Sequence, residues 1–156
     1  MEPVALGTTG ERESPLCLGT MSFGSKTDSK TSRAILDRCH EAGGRFLDTA
    51  NIYATWVDSY DEPESEPFLG GWMADRGNRD DPLLATKVGF EYGAVPQSLD
   101  PDLIEQEVQK SLNRLGTDYV DLLYAHVDDR ATPLAETMKS LRPARRIQQG
   151  SPHRRE

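Results

Sequence analysis

The chain contains few cysteines and no long apolar segment. Two cysteines, Cys17 and Cys39, occur among 156 residues, which is too few for a disulfide framework or a cysteine-rich metal cluster. We therefore expect two reduced thiols within the core and no bound metal. No apolar run approaches the roughly 20 residues that span a bilayer, and no basic then apolar leader begins the chain. These absences predict a cytoplasmic protein without membrane contact.

The chain also has fewer basic than acidic residues. The chain has 18 Lys and Arg against 26 Asp and Glu, a net charge of -8, whereas nucleic-acid binding requires a basic face that neutralises phosphates. We therefore expect no nucleic-acid partner for the main domain.

Residues 142–156 differ from the rest of the chain, because they carry five arginines and one glutamate. Pro143 would break a helix there, and the segment has little to bury. We expect a basic, disordered tail that follows a single domain over residues 1–141. Translation in a shifted reading frame is a second hypothesis for this tail. A third is an arginine cluster that binds nucleic acid or an acidic surface.

Short apolar segments alternate with amphipathic ones along the chain, which is typical of a parallel sheet with helical crossovers. The predicted strands are 15–20, 45–48, 83–87 and 119–124. The first predicted helix follows the polar residues Asp28 and Ser29, and the second carries the stripe Phe68, Leu69, Trp72 and Met73. The third begins at Asp100-Pro101 and the fourth at Thr132-Pro133, with the side chain of Asp100 or Thr132 predicted to cap the helix. Their predicted inward faces are Ile35, Leu36, Cys39 and Ala42 in the first, Ile104, Val108, Leu112 and Leu115 in the third, and Leu134, Met138 and Leu141 in the fourth. The fold class is therefore α/β, with four strand-helix units complete at about residue 141.

Polar side chains follow three of these strands. Asp48 ends the second strand and Tyr53 follows it, Lys87 ends the third, and His126 follows the fourth. The carboxyl ends of parallel barrel strands collect catalytic groups at one edge. Each residue alone would have an ordinary structural explanation, but their common position predicts one active site.

Several segments in sequence order resemble motifs of the aldo-keto reductase family. They are Leu18-Gly19-Thr20-Met21-Ser22-Phe23-Gly24, Phe46-Leu47-Asp48-Thr49-Ala50-Asn51-Ile52-Tyr53, Ser65-Glu66 followed by Leu69-Gly70, Ala85-Thr86-Lys87-Val88-Gly89, and the run from Ser111 to Leu122. The resemblance implies a (β/α)8 TIM barrel that reduces aldehydes and ketones to alcohols with NADPH. Because such a barrel usually needs about 250 residues, the four units correspond to its N-terminal half.

The resemblance also assigns roles within this site. Tyr53, Asp48, Lys87 and His126 correspond to the catalytic tetrad, in which the tyrosine donates a proton to the carbonyl oxygen. A neighbouring ammonium stabilises a phenolate, which suits Lys87 to assist Tyr53, while Asp48 would balance Lys87. The imidazole of His126 would orient the carbonyl.

Other contacts follow from the same resemblance. Gly19, Thr20 and Met21 would touch the cofactor together with Asp48, although a glycine at a strand end is as often a turn device. Trp56 would line the pocket of a small carbonyl substrate, or else anchor a loop.

Two functional hypotheses remain open. The resemblance implies that strands five to eight supply most of the NADPH site, so the first hypothesis is a reductase completed by a second half or by paired half-barrels. The second is a catalytically inactive remnant or interaction module. Unpaired strand edges also predict self-association.

Two acidic clusters are interpreted as ordinary surface features. Asp58 to Glu66 is expected to be a solvated loop, and Asp128 with Asp129 to stabilise the start of the fourth helix, where carboxylates are favoured by the dipole.

Overall fold

The computed structural model describes residues 1–56 and 63–141, so the predicted basic tail and most of the acidic loop lie outside the described residues. An antiparallel hairpin of β1 (Val4–Ala5) and β2 (Arg12–Glu13) precedes the main sheet. The sheet contains β3 (Cys17–Gly19), β4 (Phe46–Asp48), β5 (Leu83–Val88) and β6 (Leu122–Ala125). All three neighbouring pairs are parallel and follow chain order, as the alternating pattern predicts.

Four helices connect or follow these strands: α1 (Ser29–Glu41), α2 (Ser65–Arg76), α3 (Pro101–Leu115) and α4 (Leu134–Ser140). The predicted starts of α1 and α3 are confirmed, because the carboxylates of Asp28 and Asp100 accept hydrogen bonds from backbone N–H groups of the first turns. The predicted cap of α4 is wrong. Pro133 is its N-cap residue, without a side-chain bond, and the Thr132 hydroxyl donates instead to Asp129.

The main hydrophobic core lies between one face of the sheet and the helices. Leu47 of β4 and Leu84 of β5 are paired in register and pack with Trp72 and Met73 of α2. A Cβ on Gly70 would lie 2.7 Å from the Leu115 carbonyl oxygen, so this glycine permits α2 to approach α3 closely. The predicted stripe of α2 is therefore a core element.

The opposite face of the sheet is open among the residues that the structure describes. Successive side chains of a strand alternate between faces, and Cys17, Gly19 and Tyr124 are exposed there. The expectation that both thiols lie in the core is wrong for Cys17, because its strand position faces the uncovered side. Both cysteines are free, and Cys39 is half-buried.

Two predicted helix faces differ from the structure. In α1, Leu36 and Ser32 are buried whereas Ile35 is exposed, so the buried stripe is displaced by part of a turn. In α4, Leu134 is 74% exposed and Met138 is 49% exposed. Neither residue packs into the core as predicted, because no described element covers that side of α4.

The sequence interpretation of the acidic residues is wrong for Glu66. This residue lies in α2 with no exposed surface, and its carboxylate accepts hydrogen bonds from Thr86 at 2.6 Å and Arg114 at 2.8 Å. Glu66 therefore joins α2 to β5 and α3. Asp129 also serves as an acceptor, for the Leu99 and Ala131 N–H groups, and so orders the chain before α4.

None of the helices in the described part of the chain is long and apolar enough to cross a membrane. The cytoplasmic location stays a prediction.

Candidate active site

The register of β4 and β5 places Lys87 beside Asp48. Asp48 pairs with Ala85 across the sheet, and Lys87 lies two residues further along β5 on the same face. The Lys87 ammonium donates to Asp48 Oδ2 at 2.6 Å and to the Thr49 carbonyl oxygen at 2.7 Å. Both side chains are largely buried, with exposed fractions of 16% for Lys87 and 22% for Asp48. This ion pair therefore lies at the carboxyl end of the sheet, partly shielded from water.

Tyr53 completes the set of acceptors around Lys87. A tight turn follows β4, in which the Tyr53 N–H donates to the Ala50 carbonyl oxygen at 3.2 Å. This turn directs the phenol back over the strand ends, where Lys87 Nζ donates to the Tyr53 oxygen at 2.8 Å. An ammonium has three N–H donors and no acceptor, so Asp48, Thr49 and Tyr53 use all of them. Lys87 has no acceptor for the phenol hydrogen of Tyr53, so this contact leaves that hydrogen undonated.

His126 lies next to Tyr53. Its backbone N–H donates to the Val88 carbonyl oxygen at 2.8 Å, and its ring centroid lies 6.0 Å from that of Tyr53. Burial lowers the pKa of His126, and the Lys87 charge lowers it further, against a smaller opposing effect of Asp48. The imidazole is therefore neutral at pH 7. Its buried Nδ1 has no hydrogen-bond partner among the described residues.

The three residues predicted at the end of the first strand lie in two different environments. Thr20 is fully buried, and its hydroxyl contacts the Asp48 carbonyl oxygen and Ser65 Oγ at 2.9 and 2.8 Å. Its side chain therefore faces the helices. Gly19 and Met21 are exposed, and a Cβ built on Gly19 would meet no atom within 4 Å. Open space thus adjoins the site at Gly19.

Aromatic rings border the site. Trp56 is 45% exposed and its ring lies 6.0 Å from that of Tyr53 in an edge-on arrangement. Phe90, which the sequence interpretation overlooked, is 38% exposed and lies 5.6 Å from the His126 ring. Its position three residues after Lys87, two residues beyond the end of β5, was the available sequence indication. Trp56 and Phe90 are thus two exposed rings next to the polar groups.

A model of the aldo/keto reductase family matches residues 15–150. The chain belongs to this family. The tetrad motifs quoted above all fall inside the matched range, which also extends into the residues predicted to form the tail.

Individual members are similar over most of the chain. Norsolorinic acid reductase stcV of Emericella nidulans is 42% identical, over 85% of this chain and 36% of its own length. The uncharacterized oxidoreductase YrpG of Bacillus subtilis is 42% identical, over 87% of this chain and 43% of its own. This aldo/keto reductase chain therefore spans less than half the length of these curated relatives.

Solved structures confirm the predicted fold class. The aldo-keto reductase AKR11C1 of Bacillus halodurans, solved in a holo form, is 34% identical with a TM-score of 0.74, over 90% of this chain and 45% of that one. The thermostable aldo-keto reductase Tm1743 is 28% identical with a TM-score of 0.73, over 90% of this chain and 48% of that one. The four strand-helix units are the N-terminal half of a (β/α)8 barrel.

Proposed function

We propose that this chain carries the proton-donating part of an NADPH-dependent oxidoreductase that reduces small aldehydes or ketones to alcohols. The observation that supports the proposal most strongly is the contact between Lys87 Nζ and the Tyr53 oxygen at 2.8 Å, made while Lys87 is paired with Asp48. A lysine held in this way supports a tyrosine as an acid. The names of the relatives as reductases and an oxidoreductase agree with it.

The chemistry of the residues suits this reaction. Reduction of a carbonyl adds a hydride to carbon and a proton to oxygen, and Tyr53 supplies the proton from its available phenol hydrogen. The phenolate that remains is stabilised by the Lys87 ammonium, whose charge Asp48 balances. Because His126 is neutral, it donates one hydrogen bond without adding a positive charge, and it orients the carbonyl oxygen beside Tyr53.

The residues around the open face fit the nicotinamide end of NADPH. Open space adjoins Gly19, and the exposed Met21 and the Asp48 carboxylate border the same strand ends. The side chain of Thr20 faces the helices, and its backbone N–H and carbonyl oxygen are bonded to Asp48, Phe23 and Ser65. Thr20 would therefore shape the strand end beside the cofactor without donating a hydrogen bond to it. When bound, the cofactor supplies the hydride. Trp56 would provide an apolar wall for the substrate.

The whole reductase requires more than these four units. The chain covers 45% of the AKR11C1 chain, so we propose that groups for the cofactor phosphates come from a second half or from a second copy of the chain. An inactive remnant or interaction module is the alternative, and it would bind no NADPH.

The test measures aldehyde-dependent loss of NADPH absorbance by the purified 156-residue protein, together with the enhancement of NADPH fluorescence on binding. If two copies of the chain complete the site, we expect saturable binding of NADPH and slow turnover. Tyr53→Phe should abolish the turnover and retain the binding. Tyr124→Phe is the matched control, because Tyr124 is exposed on the same open face and is assigned no role. Absence of NADPH binding at high concentration would exclude completion of the site by a second copy and support the inactive alternative for this chain. Turnover that persists in Tyr53→Phe would refute Tyr53 as the proton donor.

A further inference from the structure

Helix α3 carries a buried carboxylate outside the tetrad. Glu107 is 1% exposed and accepts three hydrogen bonds. Its Oε2 accepts from Asn51 Nδ2 at 2.9 Å and from the Tyr92 hydroxyl at 2.6 Å, while Oε1 accepts from Lys110 Nζ at 2.8 Å. A buried charge is strongly unfavourable unless it is paired and hydrogen-bonded. The three donors around Glu107 therefore supply the hydrogen bonds that its buried carboxylate needs.

Two of these donors belong to the segments that form the candidate active site. Asn51 lies two residues before Tyr53, is fully buried, and donates its backbone N–H to the Lys87 carbonyl oxygen at 3.1 Å. Tyr92 lies beyond β5 in a turn closed by reciprocal backbone hydrogen bonds with Val95. One carboxylate oxygen thus joins the turn that precedes Tyr53 to the loop that follows Lys87.

The turn that carries Tyr53 needs such an external contact. Ala54 has a φ of 83°, a conformation that is unfavourable for a residue with a Cβ and persists only where surrounding structure enforces it. The turn has internal hydrogen bonds from Tyr53 to Ala50 and from Thr55 to Ile52. The side-chain contact of Asn51 with Glu107 attaches it to a helix outside the sheet.

We propose that Glu107 is a positioning residue, which holds the Asn51–Tyr53 turn through Asn51 and so keeps the Tyr53 hydroxyl at Lys87. The inference rests on the proposed function for its catalytic consequence, but the positioning itself is a property of the fold. If Glu107 served only the packing of α3, its substitution would lower the stability of the protein and leave the environment of Tyr53 unchanged.

The charge state of Glu107 agrees with this arrangement. Burial by itself raises the pKa of Glu107, but hydrogen bonds from Lys110, Tyr92 and Asn51 outweigh it and hold the pKa below its ordinary value. The carboxylate is therefore ionised near neutral pH and accepts from all its donors.

Three substitutions separate positioning from general stability. Glu107→Gln keeps an acceptor oxygen toward Asn51 and Tyr92 if its amide group faces Lys110, which is half exposed and can move into water. Glu107→Met has similar length but no comparable acceptor, and Asn51→Ala removes the side-chain amide on the turn while keeping the backbone N–H that bonds the Lys87 carbonyl oxygen. Asp121→Asn is the matched control, because Asp121 is also a largely buried acceptor, for Arg79 and the Leu84 N–H, at the opposite end of the sheet.

The readout is the 13Cζ resonance of Tyr53 in the full chain labelled with [13C]tyrosine, assigned by its loss in Tyr53→Phe. We expect Glu107→Met and Asn51→Ala to shift this resonance, and Glu107→Gln and Asp121→Asn to leave it unchanged. The proposal would be overturned if the Tyr53 chemical shift in Asn51→Ala were that of the wild type. It would also be overturned if Asp121→Asn changed this chemical shift as much as Asn51→Ala does. If Glu107→Met does not fold, Asn51→Ala still tests the proposal.

Kinetics give a second readout in the same variants. We expect kcat to fall about tenfold or more in Glu107→Met and Asn51→Ala because the acid is misplaced, whereas KM changes by less than about threefold. Glu107→Gln should retain near wild-type kcat. The Tyr53 resonance can be measured without turnover. An inactive wild-type chain would therefore exclude catalysis by this chain alone, while the positioning proposal would still be tested by the resonance.

Discussion

The ammonium of Lys87 lies 2.8 Å from the phenol oxygen of Tyr53 and donates a hydrogen bond to it. The same ammonium lies 4.6 Å from the centroid of the Tyr53 ring, so it contacts both the acidic group and the face of the ring. The two residues come from different strand ends and are 34 positions apart in the sequence. Their contact is the feature on which the proposed chemistry depends.

Substitution of Lys87 tests that contact. Lys87→Met should lower kcat by about 100-fold or more, the lower range for loss of a general acid-base contribution, since the phenolate formed at Tyr53 loses its neighbouring charge. The affinity for NADPH should change little in a fluorescence titration. Lys30→Met, on the exposed surface of α1, should retain both values. A Lys87→Met protein with wild-type kcat would contradict the assigned role.

The ionisation of His126 gives a prediction about pH. Burial lowers the pKa of His126, so its folded-state pKa lies below the unfolded value of about 6.5. The unfolded state then binds more protons, and the free energy of unfolding decreases as pH falls through about 6.5 and levels off below the folded pKa. Urea titrations between pH 5 and pH 8 should show this loss, and His126→Gln should reduce it. An unchanged pH slope in His126→Gln would count against a buried, neutral His126.

Asp129 gives a prediction in a lower pH range. Hydrogen bonds from the Leu99 N–H, the Thr132 hydroxyl and the Ala131 N–H lower the pKa of Asp129 to about 2. Its stabilising contribution is present above the unfolded value of about 3.9 and is lost as pH falls toward 2. Asp129→Asn should therefore be less stable than the wild type at pH 6 and equally stable near pH 2. Asp128→Asn is the control, because Asp128 pairs with Arg130 in an exposed contact. Equal effects of the two substitutions at pH 6 would refute the assignment.

Self-association is expected from the unpaired edges of the sheet and from two exposed apolar residues of α4. The sheet ends at β3 and β6 among the described strands, and unpaired strand edges favour pairing with another chain. Leu134 and Met138 of α4 add exposed apolar surface. Sedimentation velocity should show concentration-dependent association, weakened by the double substitution Leu134→Lys with Met138→Lys. The control is Ile35→Lys, since Ile35 is an exposed apolar residue of α1. A monomer at all concentrations would exclude this prediction.

The alternation of apolar segments was sufficient to predict the parallel sheet and its helices, because strand and helix periodicity are local properties. It also predicted that Asp48, Lys87 and His126 would share one end of the sheet, since strand ends in a parallel sheet coincide. The contact of Tyr53 with Lys87 depends on the turn after β4, which periodicity does not describe.

Long-range partners explain the features that the sequence could not reveal. Glu66 and Glu107 look like solvated acids in sequence, but Arg114, Thr86 and Asn51 reach them from distant segments and permit their burial. Cys17 and Leu134 look like core residues, but no described element covers them. The two-residue strands β1 and β2 are too short for a periodic pattern.

The most direct test of the account is a single turnover with NADPH deuterated at C4 of the nicotinamide and an aromatic aldehyde, analysed by mass spectrometry of the alcohol. We predict deuterium at the carbinol carbon with the wild-type chain and Tyr124→Phe, and a loss of about 100-fold or more in the rate of its appearance with Tyr53→Phe. Label transfer at the same rate in Tyr53→Phe would contradict the assignment of Tyr53 as the proton donor.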